Sequence, residues 1–284
     1  RHTVSLTPGI CNNNVPAPAK SYLDNMETEP NKRNLRIYFQ NINTLKLGGN
    51  AEEDRRALKK LSAMGASMVC LSELNKNMEK KEVRYEVSRM LKETMPGAKY
   101  CAGGNDKYVT EEMRKQGGVA IITKQIINRY VTERRTDDKG RWAVTGIKVG
   151  EVRLVIYNIY VPLQEDGGGQ TTVRRKLQNS LDEEGIIEDQ RVNFYNDLRD
   201  QVDSYIKEGK GVIVGGDFNE THEERGLMYK TMMNLGLVNY FKEKMGKVPP
   251  TRRPGKRTID HVWMTLCCFG EVKRAGIVGQ EEIF

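Results

Sequence analysis

The sequence predicts an α/β fold: two mostly antiparallel β-sheets packed face to face, with helices on both outer sides in a four-layer sandwich. Two features of the chain lead to this prediction. Short apolar runs rich in β-branched residues alternate with segments whose apolar residues recur at helical spacing. Two strand-like runs are separated only by Gly150-Glu151, which indicates a β-hairpin and therefore antiparallel pairing.

The predicted elements follow one another with short connections. Helical spacing predicts helices over residues 51–64, around 83–91 and over 194–206. Apolar or alternating runs predict strands over residues 35–43, 68–73, 117–123, 142–149, 152–160, 211–215 and 257–263. Residues 1–33 show no period and are rich in Asn and Pro, so we expect a flexible tail or linker ahead of one domain over residues 34–284.

Composition and charge restrict the class of protein. At 284 residues, with 38% apolar and 30% charged residues, the chain can bury the core of one large domain. No apolar run approaches about 18 residues, so we expect no membrane partner. The formal charge of +8 suits a polyanionic partner such as nucleic acid, although a basic surface that serves only solubility is the alternative.

The cysteines indicate a reducing environment. There are five, an odd number, and Cys267 and Cys268 are adjacent. No Cys-x-x-Cys or Cys/His spacing indicates a zinc site. We therefore expect an intracellular, reduced protein, with the nucleus among its possible compartments, and we assume a monomer.

Polar residues stand where predicted strands end. Gly216-Asp217-Phe218-Asn219 directly follows the apolar strand 211–215. In α/β folds such strand-end loops carry the chemistry, although an Asp-x-Asn loop is often only an Asx turn.

The same pattern recurs in three other segments. Asn41 and Asn43 end the strand over 35–43, Glu73 ends the strand over 68–73, and Asp260 lies within the strand over 257–263. A buried sheet has little other use for amides and acids at strand ends. The repetition predicts one site assembled from several strands.

The order of these motifs resembles the endonuclease/exonuclease/phosphatase superfamily, which has the fold of DNase I and of the abasic-site endonucleases. Five ordered segments over residues 34–284 carry the resemblance: Phe39-Gln40-Asn41-Ile42-Asn43, Leu71-Ser72-Glu73, Asn158-Ile159-Tyr160-Val161-Pro162, Gly216-Asp217-Phe218-Asn219 and Thr258-Ile259-Asp260-His261. The Gly-rich turn over 167–169 and the segment from Asp189 to Leu198 resemble, more narrowly, the endonuclease domains of non-LTR retroelements.

One departure from the family pattern concerns a histidine. The family closes its catalytic set with a Ser-Asp-His motif, which would begin near Phe284, so we expect a piece truncated just before that motif and, for the chain as given, poor cleavage. The histidines present are His2 in the expected tail, His222 beyond the Asp217 loop, and His261. His261 should face away from Asp260, since neighbours in a strand point to opposite faces, and a surface role is expected for His222.

The resemblance implies a divalent-metal site. Glu73 and Asn41 are the expected ligands of Mg²⁺, with Mn²⁺ as a substitute, because oxygen ligands select a hard cation. Asn43 stands where some relatives carry Asp and would weaken the metal site. The alternative for Glu73 is a helix N-cap or a surface acid.

The resemblance also implies catalytic roles. Asp217 would orient or deprotonate the attacking water, Asn219 would hold a phosphate oxygen and Tyr160 would donate to one. Asp260 pairs with the missing His in the family. For Tyr160 the alternative is a packed tyrosine at a strand end.

Two basic segments flank the predicted site. Lys76 follows Glu73, and a second group precedes Asp260: Arg252, Arg253, Lys256 and Arg257. Contacts with backbone phosphates would explain both segments. Solvated charged loops would explain them equally well.

The leading hypothesis is a metal-dependent phosphodiester hydrolase, specifically a DNA endonuclease, and within that class the narrower hypothesis is the target-nicking domain of a retroelement. The same fold supports a phosphatase or phosphodiesterase acting on small molecules or lipids. A third hypothesis is a nucleic-acid-binding module without the catalytic His.

Overall fold

Two six-stranded β-sheets form the centre of the computed structural model, which describes residues 2–6, 34–104, 117–163, 173–246 and 258–276. The strands in chain order are β1 His2–Leu6, β2 Leu35–Asn41, β3 Met68–Ser72, β4 Lys99–Gly103, β5 Val119–Thr123, β6 Val131–Thr136, β7 Trp142–Val149, β8 Val152–Tyr160, β9 Gly211–Asp217, β10 Val238–Asn239, β11 Asp260–Met264 and β12 Val272–Gly276. The first sheet has the order β12-β1-β2-β3-β5-β4, and the second has the order β10-β11-β9-β8-β7-β6.

The described residues contain eight α-helices. In chain order they are α1 Glu52–Ala63, α2 Lys81–Thr94, α3 Gln125–Asn128, α4 Val173–Glu183, α5 Gln190–Lys207, α6 Leu227–Asn234, α7 Tyr240–Met245 and α8 Leu266–Glu271. Of these, α1 and α2 pack on the outer face of the first sheet, and α5 and α6 pack on the outer face of the second. No helix of the described segments is long and apolar enough to span a bilayer.

Successive side chains of a strand point alternately to the core between the two sheets and to the helices outside. On β2, Ile37 and Phe39 pack between the sheets with Ile213 and Val262 from the second sheet. Tyr38, between them in sequence, faces the opposite way and packs with the buried residues of α1 and α2. On the far side, α5 and α6 pack against the second sheet. The predicted fold of two facing sheets with helices outside is therefore confirmed.

Each sheet contains one parallel pair of strands. β2 pairs in parallel with β3, and β8 pairs in parallel with β9, while the other ladders are antiparallel. Gly215 of β9 lies against Phe39 of β2, and a Cβ at Gly215 would be 2.5 Å from a ring carbon of Phe39. A larger residue there would force the sheets apart beside the ends of both parallel pairs.

Residues 2–6 depart from the sequence prediction. They form β1, which pairs antiparallel with both β2 and β12, with Thr3 opposite Tyr38 and Gly276. The expected tail over residues 1–33 is therefore wrong for these five residues, and residues 7–33 lie outside the described residues. The prediction used the composition of residues 1–33 as a whole. It therefore missed the short alternating run Thr-Val-Ser-Leu, whose β-branched and apolar residues favour a strand.

Two predicted strand ends also differ. β9 continues through Asp217, because Asp217 still pairs with Tyr160 on one side and Asp260 on the other. β11 begins at Asp260 rather than at residue 257. The hairpin prediction is confirmed, since Val149 pairs with Val152 across the turn at Gly150-Glu151.

Candidate active site

A hydrogen bond connects the two sheets at the carboxyl ends of their parallel strand pairs. Asn41, the last residue of β2, donates from Nδ2 to Asp217 Oδ2 over 2.7 Å. Asp217 is the last residue of β9, so this bond joins one strand end of each sheet. Asn41 Oδ1 in turn accepts from the backbone N–H of Asn43 over 2.9 Å. Each polar atom of the Asn41 amide is therefore oriented by a neighbour, and the oxygen keeps a second lone pair.

Strand register brings three predicted site residues into one row. Tyr160 of β8 lies opposite Asp217, and Asp217 lies opposite Asp260 of β11. The row crosses the edge of the second sheet that faces Asn41. The structure thus brings together side chains that the sequence analysis assigned from separate motifs.

Asp217 is the most electrostatically perturbed member of this row. Its side chain is 1% exposed. Burial raises the pKa of the Asp217 carboxyl well above its ordinary range, and the nearby carboxylates of Asp260 and Glu73 raise it further. The hydrogen bonds from Asn41 and from the backbone N–H of Asn219 act in the opposite direction. Three carboxyl groups therefore share one small region, which favours proton uptake or a cation.

Glu73 reaches this region from a strained loop after β3. Its φ of 55° lies in the left-handed region, which is rare for a non-glycine residue and frequent at functional sites. The Glu73 carbonyl accepts from the backbone N–H of Thr44 over 2.8 Å. Burial first, and then the negative charges of the Glu73 and Asp217 carboxylates, raise the pKa of Tyr160. Glu73 is not a helix N-cap, since α2 begins at Lys81.

Asn219 is positioned by the loop that follows β9. Its φ is 50°, and its backbone N–H donates to Asp217 Oδ1 over 3.0 Å, so the predicted alternative of an Asx turn is also present. Its Nδ2 donates to the carbonyl of Val161 over 2.7 Å. This bond ties the loop after β9 to the loop after β8, leaving the second Nδ2 hydrogen for another acceptor.

The oxygen donors at the site fit a hard divalent cation. Glu73 and Asn41 are partly exposed, and Asn43 is exposed. Within the described residues, no group of three or more His, Cys, Asp or Glu side chains is arranged to hold a metal ion. A cation bound here would take few protein ligands and keep several waters, as Mg²⁺ does.

His261 and His222 lie near the second sheet, and the hydrogen bonds of the first and the ring stacking of the second involve groups other than the carboxylates of the site. His261 is fully buried, with Nε2 2.8 Å from the carbonyl oxygen of Glu220 and Nδ1 3.3 Å from Asn239 Nδ2. Burial lowers the His261 pKa to about 4, so the ring is neutral at pH 7. His222 stacks on Trp263 at a ring distance of 5.7 Å. His2 lies in β1 opposite Phe39.

The predicted basic residues divide into two groups. Lys76 is partly exposed in the loop after Glu73, where its charge acts on Asp54. The others lie outside the described residues: Arg252, Arg253, Lys256 and Arg257.

Sequence analysis missed a residue that shapes the Glu73 loop. Asn75 is 7% exposed and has a φ of 50°. Its Nδ2 donates to Thr44 Oγ1 over 3.1 Å, and its Oδ1 accepts from Gly117 N over 2.7 Å. The signal was an Asn two residues after a strand-end acid, the same spacing as Asp217 and Asn219.

A protein-family model and several solved structures are similar to this chain. A family model described as "Endonuclease/Exonuclease/phosphatase family" matches residues 40–271. A search among curated proteins gave no match.

Solved structures share the fold at low sequence identity. An AP endonuclease from Leishmania major has a TM-score of 0.61 and 15% identity, covering 83% of this chain and 80% of its own. The catalytic domain of APE2 from Xenopus laevis has a TM-score of 0.55 and 14% identity, covering 83% of each chain. A 3′ phosphatase from Neisseria, bound to a product DNA hairpin, has a TM-score of 0.53 and 14% identity, covering 82% of this chain and 87% of its own.

Proposed function

Because the chain belongs to the endonuclease/exonuclease/phosphatase family, whose members are hydrolytic nucleases and phosphatases, we propose that it is a divalent-metal-dependent phosphodiester hydrolase that nicks DNA as an endonuclease. One observation carries the proposal. The ends of the two parallel strand pairs converge, so that Asn41 donates to Asp217 across the two sheets and Tyr160 lies opposite Asp217.

The metal is the first part of the proposal. Family members generally use divalent metal ions. Glu73, with the free lone pair of the Asn41 oxygen, would hold Mg²⁺ or Mn²⁺ here. The bound ion would neutralise phosphate charge and stabilise the leaving oxygen. Asn43, whose side chain is exposed, would contact the metal ion through a water molecule.

The remaining groups act on the water and the phosphate. The raised pKa of Asp217 suits a group that takes the proton of the attacking water as the new phosphorus–oxygen bond forms and the old one breaks. Asp260 supports this role through its negative charge. Asn219, by its second Nδ2 hydrogen, and the Tyr160 hydroxyl would donate to phosphate oxygens.

DNA is the proposed substrate for three reasons. The chain carries a formal charge of +8, and Lys76 stands beside the site. Two of the similar structures are named for an AP endonuclease and for a 3′ phosphatase bound to DNA. A role in nicking the target of a retroelement rests on the resemblance of the segments 167–169 and 189–198 to retroelement endonucleases and stays a prediction.

The test is nicking of supercoiled plasmid at excess enzyme, in Mg²⁺, in Mn²⁺ and in EDTA. We expect open-circle product with either metal and none in EDTA. A duplex carrying a 3′-phosphate and a chromogenic phosphodiester serve as parallel substrates. Release of phosphate without nicking would move the assignment to a phosphatase. DNA binding without hydrolysis of any substrate would favour the binding module.

A further inference from the structure

A buried ion pair lies directly behind the site and has no part in the chemistry proposed above. Arg191 is the second residue of α5, and Glu220 follows Asn219 in the loop after β9. The two side chains form a salt bridge and are only 4% and 5% exposed.

The guanidinium of Arg191 binds two loops at once. Its Nη2 donates to Glu220 Oε1, and its Nη1 donates to the carbonyl of Pro162 over 2.5 Å. Pro162 lies two residues after Tyr160, and Glu220 lies one residue after Asn219. One planar side chain therefore connects the loop after β8 with the loop after β9.

Glu220 is itself held on three sides. Its second carboxylate oxygen accepts from the backbone N–H of Met228 over 3.1 Å. Its backbone carbonyl lies 2.8 Å from Nε2 of the neutral His261, which donates to it. Glu220, the partner of Arg191, is therefore held in place by hydrogen bonds from α6 and β11.

The energetics of such a pair point to positioning rather than to bulk stability. Desolvation of two buried charges offsets most of their attraction, so a buried ion pair adds little net folding free energy. Its directional hydrogen bonds nevertheless set geometry, and the forked guanidinium can hold two acceptors in fixed directions.

We propose that Arg191, acting with Glu220, is a positioning residue that sets the spacing between the loop that follows Tyr160 and the loop that follows Asp217 and carries Asn219. The proposal rests on the proposed hydrolase function for its kinetic consequence. A misplacement of about 1 Å can cost on the order of 10²-fold in rate.

The experiment compares two altered chains with one control in the full 284-residue chain. Arg191→Met with Glu220→Gln removes both charges and keeps an acceptor for the Met228 N–H. Arg191→Lys keeps the charge and loses the fork, and it serves alone if the double variant does not fold. The control, Val202→Ala, truncates a buried residue of the same helix three turns away.

Two readouts are taken, steady-state kinetics and amide hydrogen exchange. We expect kcat of the double variant to fall about 10²-fold with KM nearly unchanged, and kcat of Arg191→Lys to fall about tenfold. Exchange of the segments 160–163 and 217–221 should accelerate in both variants, while β7 exchanges as in the parent. Val202→Ala should change neither kcat nor exchange in these segments.

Exchange separates this proposal from the proposed function. If the parent chain hydrolyses nothing, the hydrolase assignment fails, but accelerated exchange confined to the two loops still supports positioning. Exchange of both loops equal to that of Val202→Ala overturns the positioning role, whether or not the parent is active.

Discussion

The two halves of the site differ in their exposure to water. The half from the first sheet is open: Asn41 and Glu73 are partly exposed, and Asn43 is exposed. The half from the second sheet is closed: Tyr160, Asp217 and Asn219 are 7%, 1% and 9% exposed. Both halves carry a carboxylate, and Asn41 bridges them.

This difference assigns different chemistry to the two acids. Glu73 sits where a hydrated cation can approach without losing all of its waters. Asp217 is buried among acids, so its charged form is disfavoured and its pKa rises. Under the proposed function, these two carboxyl groups in contrasting environments would have different roles, Glu73 as a ligand of the cation and Asp217 as the acceptor of a proton.

The largest effect should come from the open half. Glu73→Gln is nearly isosteric and removes the charge that would hold the metal, so Mg²⁺-dependent nicking should fall to background while the circular dichroism spectrum is unchanged. Glu82→Gln, at an exposed position in the first turn of α2, is the control and should nick like the parent. Parent-like nicking by Glu73→Gln would remove Glu73 from the metal site.

The closed half should lose activity when Asp217 is replaced. Asp217→Asn should lower kcat by roughly 10²–10⁴-fold, the range of a general acid–base group, with little change in DNA affinity. The amide relieves a buried charge among acids, but it offers one acceptor oxygen for the two hydrogen bonds from Asn41 and Asn219, so the two effects on the melting temperature should offset each other. Loss of affinity at unchanged single-turnover rate would instead assign Asp217 to binding.

His261 gives the closed half a pH dependence. Its pKa is lowered to about 4 by burial, against an ordinary value of 6.5. Between these values the unfolded chain binds a proton that the folded chain does not, so the free energy of unfolding falls as pH drops from 6.5 to 4, by about 3 kcal/mol in total.

Urea unfolding at several pH values, in the parent and in His261→Gln, measures this term. The acidic residues near His261, including Asp260, are the same in both proteins, so the difference between the two curves isolates the imidazole. We expect the parent to lose more stability than the variant over this range. Parallel curves would show that the ring is accessible to protons in the folded state.

Sequence reasoning could propose the candidate site residues because each motif is local. An acid or amide at the end of an apolar strand is visible within a few residues, as for Glu73 and Asp217. The two facing sheets could also be predicted, since the hairpin and the helical spacing are short-range signals. The positions of Tyr160, Asp217 and Asp260 in one row follow from the register of the second sheet once the fold is known.

What could not be predicted depends on contacts between distant parts of the chain. Thr3 pairs with Gly276, so the place of β1 depends on a strand from the other end of the described residues. Arg191 precedes the helix predicted over residues 194–206, and no local pattern indicates its contact with Glu220. The left-handed backbone at Glu73 is likewise set by its partners in neighbouring loops rather than by its residue type.

The smallest expected effect concerns Lys76, at the margin of the open half. If this side faces DNA, Lys76 contacts a backbone phosphate, and that contact releases about one counterion on binding. Lys76→Ala should therefore weaken binding similarly across DNA sequences and lower the slope of log K against log salt by about 0.9. Lys207→Ala, at an exposed position near the end of α5, is the matched control. A slope that changes equally in both variants, or in neither, would separate the open half from the DNA path, and the preference for nucleic acid would then rest on the family and the net charge alone.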